Sequence, residues 1–361
     1  MNKNQLFKRQ ITLPEIGEIG QQKLLNTSVL VVGCGGLGGL ISVSLASSGI
    51  GKLHLIDFDT IDITNLHRQV FFDLDAIGKS KSAVLSAFIK KRAPFTQVDF
   101  STEPITKENV FKLIKDFDVI VDATDSLPTK YLLNDACVIK NKPLVYGSLY
   151  KFDGYVSVFN TLEKEGSFSA NLRDAFLKMA VDIPNCSAIG TLNSIVSIIA
   201  SFQVNEVLKL ITGIGNTLKN EILIYNSLEN SQLKIKLKKS VLKQEIKQIF
   251  KNETYFDASC EVRNPDWLIS ADELKNRISD LGQSMPILVS VIEYSEEKYP
   301  FKIDIKTSLS KIKKDDFSFE EDKKYVFVCR KGNTSYQAIK LMKEKHPNFK
   351  FYSLEGGLIN Y

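Results

Sequence analysis

The 361-residue sequence is short of several things, and each shortage excludes a class of protein. It holds 5 cysteines, at 34, 137, 186, 260 and 329, and no two of them form a CxxC pair. That argues against a disulfide framework or a four-thiolate zinc site, and it fits a reducing, cytoplasmic setting. Charge of one sign is also scarce in excess: 47 Lys and Arg stand against 42 Asp and Glu, a net +5. No concentrated basic face follows from that balance, so no nucleic-acid partner is expected. The opening MNKNQLFKRQITLPEIG lacks an apolar h-region, so no signal peptide is expected. Long uninterrupted apolar runs are missing too. The most hydrophobic stretch, 189–211, is broken by Asn193, Gln203, Asn205, Glu206 and Lys209. This predicts a buried helix with one polar side and no membrane span. There is no internal repeat and no low-complexity tract.

What is present suffices for real cores. The hydrophobic fraction is 43%, and the length predicts two or three domains. Apolar runs at 28–33 (SVLVVG), 52–57 (KLHLID) and 118–122 (DVIVD) predict strands, with a weaker candidate at 144–146. Helical patterns at 37–48 and 79–92 lie between them. Apolar strands alternating with helices predict an α/β fold, with a Rossmann-like, mostly parallel sheet covered on both faces. Around 234–251 the chain reads KIKLKKSVLKQEIKQIFK, basic and sparse in core residues, and only its start is read as a last strand. A second αβ pattern follows: helix 270–281, strands 286–291 and 324–329, helix 334–344. The expected division is a first domain over 1–238, a basic linker at 239–264 and a small α/β domain over 265–361.

The first strand runs into Gly33-Cys34-Gly35-Gly36-Leu37-Gly38 and then a helix. Glycines there permit a tight turn and let backbone N–H groups approach a phosphate at the helix N-terminus. Nineteen residues past Gly38, Asp57 ends the next strand, placed to bond ribose hydroxyls. On this motif alone the leading reading is a dinucleotide-binding oxidoreductase. Further along come Asp57-Phe58-Asp59, Asn65-Leu66-His67-Arg68-Gln69, Gly78-Lys79-Ser80-Lys81 and Asp122-Ala123-Thr124-Asp125. With Arg9-Gln10-Ile11, Leu13-Pro14-Glu15-Ile16-Gly17 and Gln203…Glu206…Lys209, these segments resemble the ThiF/MoeB/HesA family, bacterial relatives of ubiquitin-activating enzymes, over residues 5–237.

The resemblance implies ATP-dependent adenylation of a carboxylate, at the C-terminal Gly-Gly of a ubiquitin-like sulfur-carrier protein. Such a reaction builds negative charge on phosphoryl oxygens, so positioning and cations carry it. By matched position, Gly33, Gly35, Gly36, Gly38, Asp57 and Asp59 would hold nucleotide, and Arg68 and Lys81 would clamp its phosphates. Spacing favours Lys81 over its neighbour Lys79, and His67 is read as a bystander. Asn65 and Gln69 would hold nucleotide and loop. Asp125 would bind Mg²⁺. Arg9 would reach into the partner subunit's site, which implies a homodimer. Many relatives carry a zinc bound by two CxxC pairs; the first should fall near 165–171, where no cysteine stands, so no zinc is expected. Cys186 matches a family cysteine that is covalent in some relatives and dispensable in others, and both readings stay open. Cys34 and Cys137 are read as packing residues.

In the C-terminal part, strand 325–328 ends at Cys329-Arg330-Lys331-Gly332-Asn333-Thr334-Ser335 before a helix. A thiolate facing backbone N–H groups at a helix N-terminus suits a persulfide carrier or an anion site. With Tyr352-Ser353-Leu354-Glu355-Gly356-Gly357, this segment resembles the rhodanese active loop, and the resemblance spans about 265–361. It implies sulfur transfer from a persulfide or thiosulfate donor, giving a carrier thiocarboxylate for thiamine-thiazole or molybdopterin synthesis. The family's Asp-Val-Arg-Glu strand end is replaced here by Ser290-Val291-Ile292-Glu293. A non-catalytic docking module is therefore the alternative for this half.

Overall fold

The computed structural model describes residues 2–179, 190–255, 264–279, 285–292, 299–313, 319–320, 323–330 and 332–361. The chain divides into two units, 1–257 and 258–361.

In the first unit, the short helices α1 (Lys3–Leu6) and α2 (Lys8–Ile11) precede α3 (Gly17–Leu25). There follow β1 (Ser28–Val32), α4 (Gly36–Ser47), β2 (Lys52–Ile56), α5 (Lys81–Arg92), β3 (Gln97–Ser101), α6 (Val110–Ile114), β4 (Val119–Asp122) and α7 (Leu127–Lys140). The β5 (Leu144–Tyr150) and β6 (Asp153–Phe159) strands come next, then α8 (Leu172–Ala175), α9 (Asn193–Thr212), β7 (Glu221–Asn226), β8 (Ser231–Lys236) and α10 (Lys243–Asn252). One eight-stranded sheet runs in the order β3-β2-β1-β4-β5-β6-β7-β8. It is parallel from β3 to β5 and antiparallel beyond. Buried strands such as SVLVV in β1 read as unbroken apolar runs because helices cover both their faces. Local chemistry sets the helix starts: Ser80 Oγ accepts from Ala83 N, and Ser126 Oγ accepts from Thr129 N.

Asn193–Thr212 is long and apolar enough to cross a membrane by length and composition. It lies instead in the core, with Ile195, Val196, Ile199 and Ala200 fully buried or nearly so. The polar side anticipated from Gln203 and Glu206 is buried as well, and is paired except at Gln203 Oε1. Gln203 Nε2 donates to the Asp122 carbonyl, and Glu206 accepts from Leu218 N and pairs with Lys209.

The expected linker is a difference. Within 239–264, α10 packs onto the first unit. Ile246 is buried with Val138 and Val241, and the Phe250 ring lies tilted against Phe111 with centroids 4.8 Å apart. Lys107 Nζ donates to the carbonyls of Lys251 and Glu253, and Tyr255 Oη donates to Asp135. Lysines on the outer face of α10 mask its narrow apolar stripe in the sequence, and that stripe is enough to dock a helix of 10 residues.

The second unit has β9 (Leu268–Ile269), α11 (Ala271–Ser279), β10 (Ile287–Ser290), β11 (Ile305–Lys306), α12 (Leu309–Lys313), β12 (Lys324–Val328), α13 (Asn333–Lys345) and β13 (Lys350–Leu354). Its sheet runs β11-β10-β12-β13-β9, every pair parallel. Phe327, Phe351, Tyr336 and Ile339 fill one face, and Leu274, Leu288, Val326 and Leu354 the other.

Candidate active site

The glycine loop is built by exclusion. Gly33 has φ +94°, a conformation that side chains rarely adopt, and a Cβ there would come within 2.6 Å of the Ala123 carbonyl oxygen. A Cβ on Gly38 would sit 1.7 Å from the Gly33 carbonyl oxygen, and one on Gly36 would strike Val196 at 2.6 Å. So α4 can start hard against β1, leaving the first-turn N–H groups facing outward at its positive end. Asp57 directly follows β2, beneath this loop. One of its carboxylate oxygens accepts from Cys34 N at 2.6 Å and the other from Asp59 N at 2.8 Å. Burial pushes the Asp57 carboxyl above its usual range, against the pull of Lys81.

Lys81 opens α5 and is 6% exposed, yet its Nζ reaches the half-exposed Asp59 carboxylate at 2.7 Å. Lys79 is exposed, so Lys81 is the cation that faces the loop. The segment 65–69 folds over α4: a Cβ on Gly36 would lie 3.2 Å from the Arg68 carbonyl, and one on Gly35 would lie 3.4 Å from Gln69 Nε2. Gln69 is buried, with an Oε1 that has no partner. Asn65 faces back onto its own turn, where its side chain accepts from Asp62 N. Arg68 Nη1 donates to the Thr64 carbonyl and lies 2.9 Å from Nε2 of the exposed His67.

Asp125 is exposed just past β4, and its carboxylate has no partner among the described residues. Arg9 stands exposed on α2 and joins none of these contacts. Cys186 lies outside the described residues.

Sequence reasoning missed what lies beneath Asp125. Asp122 is fully buried and pairs at 3.1 Å with Lys130, itself 2% exposed. Lys130 also donates to the Gly147 carbonyl, and Asp122 accepts from Thr124 N and Thr124 Oγ1. The pair locks the turn that presents Asp125. Its sequence signal was a lone lysine inside the apolar run of α7. Cys34, buried in the glycine loop, has its thiol pushed up by burial and then by Asp57, which leaves it a packing residue. Cys137 is likewise buried, with its thiol pushed up.

The corner between 163–174 and 239–241 is held by hydrogen bonds. Asp174 accepts from Asn171 N on its own side and from Ser240 N, Ser240 Oγ and Val241 N across the gap. Lys239 Nζ donates to the Phe168 carbonyl, and Asn220 joins Ala170 to Glu163. No group of His, Cys, Asp or Glu able to hold a metal ion occurs among the described residues.

In the second unit, Cys329 follows the last residue of β12 at 4% exposure. Gly332, at φ +75°, sits so close to Leu354–Gly357 that a Cβ would come within 3.0 Å of backbone atoms. Leu358 N and Ile359 N donate to the Cys329 and Arg330 carbonyls, so the terminal Gly-Gly segment underpins the loop. Where an Asp was expected, Ser290 Oγ accepts from Ile292 N and bonds Tyr299 Oη at 2.7 Å.

Fold and site together define a class: a doubly wound nucleotide-binding domain whose phosphate loop is flanked by Lys81, Arg68 and an unpartnered carboxylate, joined to a cysteine-loop α/β unit. The ThiF family pattern matches residues 7–244, and the chain belongs to that family. It is 34% identical to the sulfur carrier protein adenylyltransferase of Thermus thermophilus, over 65% of this chain and 87% of that protein. It is 30% identical to the adenylyltransferase and sulfurtransferase MOCS3 of Dictyostelium discoideum, over 100% of this chain and 95% of that protein. Among solved structures it is similar to E. coli MccB with ATP, at a TM-score of 0.57 and 25% identity, covering 67% of this chain and 74% of that one.

Proposed function

We propose that this chain is an adenylyltransferase and sulfurtransferase acting on a ubiquitin-like sulfur-carrier protein. ATP activates the carrier's C-terminal Gly-Gly carboxylate, whose oxygen attacks the α-phosphorus and expels pyrophosphate. The observation that carries the reading is the cation set at the glycine loop. The buried Lys81 is held by an exposed Asp59, and Arg68 lies against the start of α4. A hydride-transfer site has no need of two cations there, whereas phosphoryl charge does. Asp57 and Asp59 hold the nucleotide with the loop glycines. Mg²⁺, which neutralises phosphate charge when bound, fits a single exposed carboxylate completed by water and phosphate oxygens, and Asp125 is that carboxylate.

Cys329 carries the sulfur. A donor persulfide or thiosulfate passes its outer sulfur to the Cys329 thiolate and leaves as thiol or sulfite. The resulting persulfide attacks the adenylate carbonyl, AMP leaves, and the carrier is held as an acyl disulfide. A second thiol, for which Cys186 is the candidate, attacks the Cys329 sulfur of that disulfide, so that the thiocarboxylate leaves and a Cys186–Cys329 disulfide forms, which an external dithiol reductant reduces before the next turnover. Support comes from a full-length resemblance, since the match to the Dictyostelium relative spans both units. Thiamine-thiazole and molybdopterin carriers are both suited to this chemistry. The reading places the protein in the cytoplasm as a homodimer, with Arg9 completing the partner's site.

A second reading keeps adenylation and makes the second unit a docking module. It draws on the absent Asp and Arg and on a Cys329 that is 4% exposed. One experiment separates the two. Purified protein with ATP, Mg²⁺ and each carrier is followed by ATP–pyrophosphate exchange, then by intact mass of the carrier with a sulfur donor. Exchange plus a carrier gain matching replacement of oxygen by sulfur is expected, and Cys329→Ala should abolish the gain while leaving exchange intact. A thiocarboxylate that survives Cys329→Ala establishes the docking reading. No exchange with any carrier, in protein that binds ATP, removes both.

A further inference from the structure

Beneath the Cys329 loop lies a buried polar chain that the cysteine's own motif does not call for. Ser335 N donates to Cys329 Sγ at 3.4 Å, and Ser335 Oγ lies 3.3 Å from the same sulfur. Ser335 Oγ in turn lies 2.7 Å from Ser353 Oγ. Both serines are 0% exposed. Ser353 sits on β13 between Tyr352 and the fully buried Leu354, level with Phe327 of β12 and Leu268 of β9. An alanine would fill that position with no polar atom to satisfy, whereas a buried hydroxyl costs about 1–3 kcal/mol unless it is bonded.

We propose that Ser353 is a positioning residue for the Cys329 sulfur, acting through Ser335. The reasoning is hydrogen counting. Ser335 Oγ has one hydrogen and two neighbours, Ser353 Oγ and Cys329 Sγ. If Ser335 donates to Ser353, it meets the sulfur with a lone pair and can only accept from S–H. If Ser353 donates to Ser335, the Ser335 hydrogen is free for the sulfur. The sulfur anion then has two donors on one residue, the Ser335 N–H and O–H. Turning two hydroxyl rotors therefore matches the site to a neutral thiol or to a thiolate or persulfide anion, with no movement of the backbone. The thiolate is the nucleophile in sulfur transfer, so the orientation Ser353 imposes controls the reacting species. This rests on the reading of Cys329 as the sulfur-bearing nucleophile, and it deepens that reading by naming what steadies the anion.

The test uses full-length protein and the rate of iodoacetamide alkylation at Cys329 across pH, read by peptide mass spectrometry so that other cysteines do not count. Ser353→Ala should slow alkylation at neutral pH about fivefold, the value of one ordinary hydrogen bond, and move the rate–pH curve to higher pH. Ser335→Ala should slow it at least as much. In the double variant the Ser353 effect should vanish, because it is transmitted only through Ser335. Ser353→Thr, which keeps the hydroxyl on a strand position, should restore the curve, and it serves if Ser353→Ala does not fold. A Ser353→Ala curve that superimposes on the wild type overturns the proposal, as do additive effects in the double variant; the serines would then only satisfy one another. Because the readout is alkylation, either result is independent of whether a carrier thiocarboxylate forms.

Discussion

At the scale of the residue, the site works by setting charged groups against their surroundings. Asp57 shows this most directly. Its ionised carboxylate holds the Cys34 and Asp59 amides in place, yet burial raises its proton affinity. A carboxyl raised in the folded state binds its proton more tightly there than in the unfolded chain. Its contribution to stability is therefore present below the ordinary value of 3.8 and lost as pH rises through the raised folded value. Wild-type protein should gain stability relative to Asp57→Asn as pH falls from neutral into that window, in urea titrations at a series of pH values. Over the same range ATP binding should weaken, since the protonated carboxyl no longer accepts from both amides and from ribose. At neutral pH, Asp57→Asn should bind ATP about tenfold more weakly, the worth of one charge-assisted hydrogen bond. A stability difference flat with pH would show that Asp57 titrates as an ordinary surface carboxyl.

At the scale of the element, what could be read from sequence follows from how much each segment depends on itself. The glycine loop, β1, β2, β4 and α4 were legible because buried parallel strands leave unbroken apolar runs, and because Gly33 and Gly38 have no alternative. The antiparallel strands β6 and β7 were not, since DGYVSVF and EILIYN mix small, polar and apolar residues and take their shape from each other. The α10 helix was read as linker for the same reason: its stripe of Ile246 and Phe250 has meaning only against Val138 and Phe111. The Asp122–Lys130 pair was hidden because neither residue is unusual until the fold buries both. Ser353 stands inside the terminal Gly-Gly segment, and nothing in the sequence marks it until β13 buries it against Ser335.

The corner between 171–175 and 239–241 belongs to this scale, because one side chain there joins two elements. Asp174 Oδ1 accepts from Ser240 N, Ser240 Oγ and Val241 N, fastening the 171–175 turn to the entry of α10. A carboxylate on one segment and backbone amides on the other hold the two together. Asp174→Ala should lower unfolding free energy by about 1 kcal/mol, the worth of ordinary hydrogen bonds, since the exposed Ser240 donors can turn to water and only Val241 N is partly buried. The melting temperature of the wild type should not change in EDTA. A fall in EDTA would mean that a metal holds this corner after all.

At the scale of the molecule, the two units have separate cores, and the division of labour follows that separation. The nucleotide site lies wholly in the first unit and the Cys329 loop wholly in the second, so activation and sulfur loading can be disabled independently. One residue of the proposed mechanism is left outside its own site. Arg9 is exposed, with no partner among the described residues, and takes no part in the cluster around Gly33–Gly38. Nearby on the same N-terminal segment Leu6, Leu13 and Ile19 are 45%, 52% and 77% exposed, an apolar surface suited to another subunit. If Arg9 serves a partner's nucleotide, two inactive variants should repair each other. Arg9→Ala and Arg68→Ala homodimers should each lose ATP–pyrophosphate exchange. Co-expressed, they reassort so that about half the dimers are mixed, and one of the two sites in each mixed dimer carries both arginines. Exchange should then return to about a quarter of the wild-type rate per subunit. If Arg9 acts within its own subunit, no mixed dimer has an intact site and the mixture stays as inactive as its parts.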